Sequence, residues 1–374
     1  MSRIATILHI SDLHLVGNLM EEGRSLAIKG PKTHAYAKID ALSAAVFEIE
    51  EVRNKPIDIV VVTGDVTTDG SKESLETALE FIQHDDIYRY LPARRVLRGL
   101  GADLSSRIIV PGNHDRYSGR LWPIPQQTPG QSFEEVFESP TRYPYAQGFS
   151  FASSDELDGD QNEKAIIFFV FDSTMVQPDR RDYYNKIARG RIELGECNRL
   201  RELAIEIRKT QVVPASDGTA LSVDYDKATK IVVLHHHPIL PDPITDGGLT
   251  LITRIRRKLQ SKLTLMENSD EFVQACCDAK VDFVLFGHQH KEYETAREEG
   301  GHIVRFHCCP STSEFSETQN GFNLIDIHSE GRYDNEFHRW SAGRNMPKRF
   351  VLARRTTFDP RGGGGHTAMA AGAG

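Results

Sequence analysis

Five short clusters of aspartate, histidine, asparagine and glycine hold the side chains of this sequence that could do chemistry. They are Asp12-x-His14, Gly64-Asp65, Gly112-Asn113-His114-Asp115, His235-His236-His237 and Gly287-His288-x-His290. Their ligand atoms are carboxylate or amide oxygens and imidazole nitrogens, without a thiolate, a set that suits Mn, Fe or Zn rather than a structural zinc cage. One such cluster would mean little, but the ordered set predicts a metal-dependent active site.

The spacing within two of the clusters supports cation binding. In an extended segment, side chains two residues apart point to the same side of the chain. Asp12 and His14 can therefore grip one ion, and His288 and His290 can approach one site. Glycine precedes three of the clusters and allows the tight turns and close backbone approach that such a site requires.

Each cluster directly follows a short apolar run that is typical of a buried strand. The runs are residues 4–10, 57–63, 107–110, 231–234 and 281–286. Helical patterns lie between several of them, at residues 38–53, 73–84 and 192–209. Strands that alternate with helices predict a parallel or mixed sheet with helices outside, in which functional groups collect at the carboxyl ends of the strands.

The last third of the chain has a different pattern. Three strand-like segments, residues 302–308, 321–328 and 333–340, lie there with no long helix between them, which predicts a second sheet packed on the first. We divide the chain into one domain, residues 1–355, with insertions near 117–164 and 240–267, and a disordered Gly/Ala-rich tail, residues 356–374. The basic run in the second insertion, residues 254–258, is interpreted as a solvated helix face.

The composition narrows the class of protein. The formal net charge of −8 over 374 residues disfavours a nucleic-acid binder with a broad basic face. The five cysteines include two adjacent pairs, at 276–277 and 308–309, without zinc-finger spacing, and we expect buried thiols in a reducing compartment. The first apolar run is too short for a signal peptide and no run has the length of a membrane span, so we expect a cytoplasmic protein without a membrane partner.

The five blocks, in this order and each after a strand, resemble the calcineurin-like metallophosphoesterase superfamily over residues 4–290. The resemblance implies an α/β fold, a four-layer α/β/β/α sandwich of two mixed sheets flanked by helices. It also implies hydrolysis of a small phosphate-ester substrate with two divalent metal ions (Mn, Fe or Zn), through in-line attack of a metal-bound hydroxide on phosphorus.

Carried over position by position, the resemblance assigns seven cation ligands: Asp12, His14 and His290 to the first ion, Asn113, His235 and His288 to the second, and Asp65 as the bridge between them. His114 would be the catalytic acid at the leaving oxygen, and Asp115 would hold its ring through the other ring nitrogen. Asn113, His114 and His236 are assigned to substrate binding. The choice of His235 over His236 as the ligand rests on the resemblance alone.

Residues next to the predicted ligands are interpreted as structural. Arg116 is expected to be exposed, His237 to cap its loop, and residues 309–312 to form a packed loop near the site.

Three features of the sequence bear on which branch of the superfamily it resembles. Thr68 stands where purple acid phosphatases carry a tyrosine, so a tyrosinate-bound ferric ion is not expected. The His-His-His-Pro block and residues 189–192 look more like bacterial cyclic-nucleotide phosphodiesterases and glycerophosphodiesterases, which favours a phosphodiester. The alternatives are a DNA-repair-type nuclease, which would want a basic groove, and a metal-binding scaffold without activity. The natural substrate, the physiological metals and the oligomeric state stay open.

Overall fold

The computed structural model describes residues 2–15, 36–84, 86–87, 97–116, 132–151, 164–174, 190–240, 265–313, 320–329, 331–341, 348–359 and 366–369. The strands within these ranges, in chain order, are β1 Arg3–Ile10, β2 Ile59–Thr63, β3 Asp86–Ile87, β4 Leu97–Arg98, β5 Arg107–Val110, β6 Tyr145–Phe151, β7 Lys164–Val170, β8 Val212–Pro214, β9 Ala220–Ser222, β10 Thr229–Val233, β11 Phe283–Phe286, β12 Tyr293–Glu299, β13 His302–Cys308, β14 Gly321–His328, β15 Tyr333–Ser341, β16 Arg349–Phe358 and β17 His366–Met369. The α-helices are α1 Tyr36–Arg53, α2 Lys72–Gln83, α3 Asn113–Arg116, α4 Ser132–Phe137, α5 Leu194–Thr210 and α6 Ser269–Asp278.

Most of the strands form two mixed sheets. The first has seven strands in the order β17-β16-β15-β14-β1-β2-β5, and the second has six in the order β12-β13-β11-β10-β7-β6. In the first sheet β1, β2 and β5 are parallel, and β14 pairs antiparallel with β1. In the second sheet the four inner strands are parallel, with β6 and β12 antiparallel at the edges. The predicted mixed sheets are confirmed.

Three apolar layers hold the sheets and helices together. Alternate residues of β2 divide between two of them, because Ile59 and Val61 face the other sheet while Val60 and Val62 face the helices α1, α2 and α4. A third layer joins the outer face of the second sheet to α5 and α6. Strands buried on both faces need apolar residues at every position, which is why these runs are continuous rather than alternating. This layering is the predicted four-layer sandwich.

None of the described helices combines the length and the apolar content needed to cross a bilayer.

The C-terminal strands do not form the second sheet that their spacing predicted. Instead β14, β15 and β16 extend the first sheet antiparallel from β1, and β13 alone of the three predicted segments joins the second sheet. Antiparallel neighbours need only short connections, so the lack of helices indicated an antiparallel arrangement but not which sheet would receive the strands.

The segment 117–164, predicted as an insertion, is in part a component of the core. Its described residues include α4 and β6, and β6 pairs antiparallel with β7 while Phe149 is buried between the sheets. The high content of proline, glycine and acidic residues concealed a strand at the sheet edge, where such residues are tolerated. Residues 117–131 and 152–163 lie outside the described residues, as do residues 241–264 of the second predicted insertion and the basic run within it.

The prediction that the chain is disordered from residue 356 onward is wrong for the residues that the structure describes there; residues 360–365 and 370–374 lie outside the described residues. Residues 356–358 complete β16, and β17 pairs antiparallel with β16 between Arg354↔Met369 and Thr357↔His366. Backbone hydrogen bonds to neighbouring strands order residues 356–358 and 366–369, although the composition of the tail offers little apolar surface to bury.

Candidate metal centre

The five predicted clusters meet at one end of the sandwich, where strands of both sheets finish. In the first sheet, β1, β2 and β5 end at Ile10, Thr63 and Val110, directly before the first three clusters. In the second sheet, β10 and β11 end at Val233 and Phe286, just before the two histidine clusters. Because the strands within each set are parallel, their carboxyl ends bring all five clusters to the same edge.

One candidate cation position lies among Asp12, His14 and His290, whose ligand atoms lie within 4.8 Å of one another. His290 Nε2 is 3.1 Å from Asp12 Oδ1, and His14 Nε2 is 3.9 Å from the same oxygen. The other carboxylate oxygen of Asp12 accepts hydrogen bonds from Ser11 Oγ at 2.5 Å and from the His288 backbone N–H at 3.1 Å. Asp12 Oδ1 is buried and accepts no hydrogen bond from the described part of the chain, so it can bind a cation.

A second candidate position lies around His235, and Asp65 faces both positions. His235 Nε2 is 3.2 Å from Asn113 Oδ1 and 3.1 Å from His288 Nδ1. The same nitrogen is 3.4 Å from Asp65 Oδ2, which in turn is 3.8 Å from His14 Nε2. One carboxylate oxygen therefore lies between the two groups, as the bridging assignment requires.

The ligand atoms fit a divalent cation because several hydrogen-bond acceptors face one another at the site. His235 Nδ1 is 2.7 Å from the Thr63 carbonyl oxygen, so this nitrogen carries the proton of the neutral ring. His235 Nε2 then presents a lone pair to the Asn113 amide oxygen and the Asp65 carboxylate. Neither oxygen can donate a proton to this nitrogen, so a second proton on His235 or a cation would satisfy all three atoms. Oxygen and imidazole ligands suit Mn, Fe or Zn.

The charges of the site favour a bound cation. In the absence of a cation, a second proton on His235 takes its place: burial alone would lower the pKa of this ring, but the carboxylate of Asp65 outweighs burial and raises that pKa to about 9. A bound cation would displace this proton and leave the neutral ring as its ligand. Burial would likewise raise the pKa of Asp65, and the nearby His235 and His114 hold it well below its ordinary value. The pKa of Asp12 is lowered despite its burial, chiefly by His290. Both carboxylates are therefore ionised and ready to bind positive charge.

Left-handed backbone conformations mark this centre. Five of the predicted ligands have a positive φ although none is glycine: Asp12 (53°), His14 (50°), Asp65 (49°), His288 (76°) and His290 (56°). Such conformations are each unfavourable by about 1–3 kcal/mol and persist only where the surrounding structure over-determines them. The extended backbone that was predicted for Asp12–His14 and for His288–His290 is therefore wrong. His288 and His290 lie at two neighbouring candidate cation positions instead of one.

Two glycines allow the loops to approach each other closely. A Cβ added to Gly64, which has φ 88°, would lie 2.5 Å from the ring of His235. A Cβ added to Gly112 would lie 2.2 Å from the backbone nitrogen and from Oδ1 of Asp65. Any side chain at either position would push a predicted ligand out of place.

His114 lies beside the first group but is oriented differently from the prediction. Its ring centroid is 4.9 Å from that of His14, and its Nδ1 is 3.1 Å from the Thr68 carbonyl oxygen. Asp115 instead accepts hydrogen bonds from the neighbouring loops, through Val66 N, Thr67 N, Thr67 Oγ1 and Gly112 N. The prediction that Asp115 holds the ring of His114 is therefore wrong, because its oxygens are used to stabilise the loop that carries Asp65.

His236 is fully buried behind the second group. Its Nδ1 lies 3.0 Å from Ser173 Oγ, and its ring joins His235 and His288 in a set of ligand atoms within 4.8 Å of one another. Its predicted contact with substrate stays a prediction.

His237 connects the two histidine clusters of the second sheet. The backbone N–H of Gln289 donates to His237 Nε2 at 3.2 Å, so Nδ1 is the protonated nitrogen and donates to Tyr293 Oη at 2.7 Å. The Tyr293 hydroxyl donates in turn to the Ile239 carbonyl at 2.8 Å. Burial and the adjacent His288 keep the pKa of His237 well below its ordinary value, in agreement with a neutral ring.

The expectation that Arg116 is exposed is wrong. It is 8% exposed and pairs with Glu134 of α4 and with Asp172, whose Oδ2 is 2.7 Å from Arg116 Nη2. Two carboxylates compensate its charge inside the protein, and the guanidinium also lies 5.3 Å above the Phe133 ring.

Several residues to which the sequence assigned no role at the metal centre complete the site. Ser11 and the carbonyls of Thr63 and Thr68 orient Asp12, His235 and His114, and Ser311 and Ser313 contact the loop of Asp12. Serine and threonine are common in loops, so their identity alone did not single them out.

Comparisons with known proteins identify one matching family. The calcineurin-like phosphoesterase family matches residues 5–292, more than half of the chain. No curated protein matches the chain in sequence. Similar solved structures include GAP50, the anchor in the inner membrane complex of Plasmodium (14% identity, TM-score 0.46, covering 94% of this chain and 89% of that chain). The purple acid phosphatase PPD1 of yellow lupin (Lupinus luteus) is 11% identical, with TM-score 0.45 and coverage of 94% and 54%. Likenesses this distant say nothing about the reaction.

Proposed function

This chain belongs to the calcineurin-like phosphoesterase family and is a hydrolase of phosphoric esters, and we propose that its substrate is a small phosphodiester cleaved at a centre of two divalent cations. The observation that carries this proposal is the shared carboxylate. Asp65 Oδ2 lies 3.4 Å from a ligand nitrogen of one group and 3.8 Å from a ligand nitrogen of the other.

The proposed ligand sets are supported by the two groups of side chains at the site. Asp12, His14 and His290 would hold the first cation, and Asn113, His235 and His288 the second, with Asp65 between them. When bound, a pair of divalent cations lowers the pKa of water toward neutrality and neutralises charge on phosphate oxygens.

The residues of the chain then orient the ester and move a proton. The Thr68 carbonyl fixes Nδ1 of His114 as a donor, so the imidazolium form of this ring would give the proton on Nε2 to the leaving oxygen and return to the neutral form. The backbone N–H of His114 donates to Asp65 Oδ1 at 2.8 Å, which holds this histidine beside the bridging carboxylate. Asn113 can contact the ester through its amide as well as bind the second cation.

The metals and the ester class are supported by the chemistry of individual residues. Ligands of oxygen and imidazole favour Mn, Fe or Zn. Thr68 offers no phenolate, and its hydroxyl donates to the His14 carbonyl at 2.8 Å, so a tyrosinate-bound ferric ion is not part of the proposal. The His-His-His-Pro block supports a diester, and the net charge of −8 supports a small substrate rather than nucleic acid. We also propose a cytoplasmic location.

The test is turnover of metal-free protein reconstituted with Mn²⁺ on a panel of phosphomonoesters, alkyl and cyclic diesters, and single-stranded DNA. We expect the highest kcat/KM on a small diester. A preference for monoesters would contradict the diester assignment, and a preference for DNA would favour the nuclease alternative. A protein that binds two cations but leaves the whole panel intact would support the scaffold alternative.

A further inference from the structure

Three consecutive residues outside the predicted clusters lie against the loop that carries Asp12 and His14. Ser311, Thr312 and Ser313 are all fully buried. They follow β13 of the second sheet and precede β14 of the first, so this segment crosses between the sheets beside the first cation position.

The hydroxyls of the two serines contact successive backbone carbonyls of that loop. Ser311 Oγ donates to the Asp12 carbonyl at 2.9 Å, and Ser313 Oγ lies 3.2 Å from the same oxygen. Ser313 Oγ is closer to the Leu13 carbonyl, at 2.7 Å. Two side chains therefore satisfy two buried carbonyls that belong to no strand.

These carbonyls depend on side chains because of the backbone conformation. Asp12 and His14 have φ of 53° and 50°, and the pairing of β1 with β14 ends before these residues, at His9↔Asn323. Their N–H groups donate to the carbonyls of Gly64 and Asp65, each at 3.0 Å. The carbonyls on the other side of the loop need separate donors, because leaving a buried carbonyl unsatisfied is unfavourable.

We propose that Ser311 and Ser313 are positioning residues for the first cation. Their hydroxyls hold the left-handed backbone of the Asp12 loop in the one conformation that directs Asp12 Oδ1 and His14 Nε2 toward the ion. Without them the loop relaxes toward an ordinary backbone conformation and these ligand atoms move apart. This inference rests on the proposed function, since it presupposes a cation at the first position.

The test uses Ser311→Ala, Ser313→Ala and the double variant Ser311→Ala/Ser313→Ala. Thr312→Val is the control. The control removes a buried hydroxyl from the same segment, but that hydroxyl donates to the Gly321 carbonyl at 3.3 Å rather than to the ligand loop. Metal-free full-length protein is titrated with Mn²⁺, and free Mn²⁺ is measured by electron paramagnetic resonance. His290→Ala, which lacks a ligand of the first position only, identifies which binding step belongs to that position.

We expect the wild type and Thr312→Val to bind two ions with the same affinities. The double variant should bind the first-position ion about 10–100-fold more weakly, the usual effect of losing groups that orient metal ligands, and bind the second ion normally. Ser313→Ala should have a larger effect than Ser311→Ala because Ser313 contacts both carbonyls. Turnover should recover as Mn²⁺ is raised.

Two outcomes would overturn the proposal. One is a double variant that binds both ions as tightly as Thr312→Val, and the other is an equal weakening of both ions, which a general loss of packing would cause. If the double variant does not fold, the two single variants decide the question by the same criteria. A wild-type protein that binds two ions without hydrolysing any ester would reject the proposed function but leave this test intact. A wild-type protein that binds no Mn²⁺ would contradict both.

Discussion

At the residue scale, the two oxygens of Asp65 have separate tasks. Oδ1 accepts the His114 backbone N–H at 2.8 Å, and Oδ2 faces His14 and His235 from between the two ligand groups. The same side chain therefore positions the predicted acid and joins the two cation positions. These tasks can be separated by replacing Asp65 with asparagine, whose amide group keeps one oxygen as an acceptor but carries no charge.

We predict that Asp65→Asn loses both cations together. The amide oxygen can still accept the His114 N–H, but the neutral group cannot bridge two positive ions, so turnover should fall at least about 100-fold. Metal content after gel filtration and kcat/KM check this prediction, with Asp226→Asn, an exposed site, as the control. A variant that retains one ion at full occupancy would show that Asp65 is not shared.

We predict that His114→Ala keeps its metals but loses rate by a factor of about 10²–10⁴, the range for a lost general acid. The loss should be large for alkyl esters, whose leaving oxygen needs a proton, and small for nitrophenyl esters, whose leaving group departs as an anion. Rates on a matched pair of such substrates check this prediction. An equal loss on both would assign His114 to positioning instead of proton transfer.

At the element scale, Arg116 connects parts of the site that belong to different sheets. It lies at the end of α3, which carries Asn113 and His114 from the first sheet, and pairs with Asp172 just after β7 of the second sheet. The next residue, Ser173, contacts His236 through its hydroxyl at 3.0 Å. A buried ion pair thus holds the third cluster against the carboxyl end of the second sheet.

We predict that Arg116→Ala lowers the free energy of unfolding by about 3–5 kcal/mol, because it leaves Glu134 and Asp172 buried without their partner. Arg201→Ala is the matched control: its ion pairs with Glu271 and Asp278 are more exposed and worth about 0–1 kcal/mol. Urea unfolding of both variants measures the difference. Similar values for the two would show that the buried pair contributes no more than a surface pair.

At the scale of the whole molecule, the cation ligands come from both sheets. Asp12, His14 and Asp65 follow strands of the first sheet, whereas His235 and His290 follow strands of the second. Bound cations would therefore link the two halves of the sandwich and replace the repulsion between buried carboxylates with attraction.

We predict that chelation lowers the melting temperature by a few degrees. Each cation at about 100 times its Kd stabilises the folded state by about 2.7 kcal/mol, and a chelator removes this contribution. Thermal unfolding with and without EDTA measures the shift, and Asp65→Asn should show none. A wild-type melting temperature that does not respond to EDTA or to added Mn²⁺ would contradict a bound cation pair.

The boundaries of several strands could be predicted from the sequence, but the pairing of strands within the sheets could not. The boundaries of β5, β13 and β14 followed from their apolar runs, and the predicted ligands were chosen because they directly follow such runs. The sheet that receives β14 and the strand hidden in residues 145–151 did not follow, because pairing depends on partners far away in the chain. The same holds for Ser313 and Leu13, which are 300 residues apart.

By itself the sequence determined the chemistry, because residue type sets which atoms can bind a cation and because parallel strands finish at a common edge. Only the tertiary structure decided the left-handed backbone of the ligand loops, the partner of the His114 ring and the burial of Arg116. These features arise from packing between distant loops, whose buried polar groups must all find partners, and no local pattern contains that requirement.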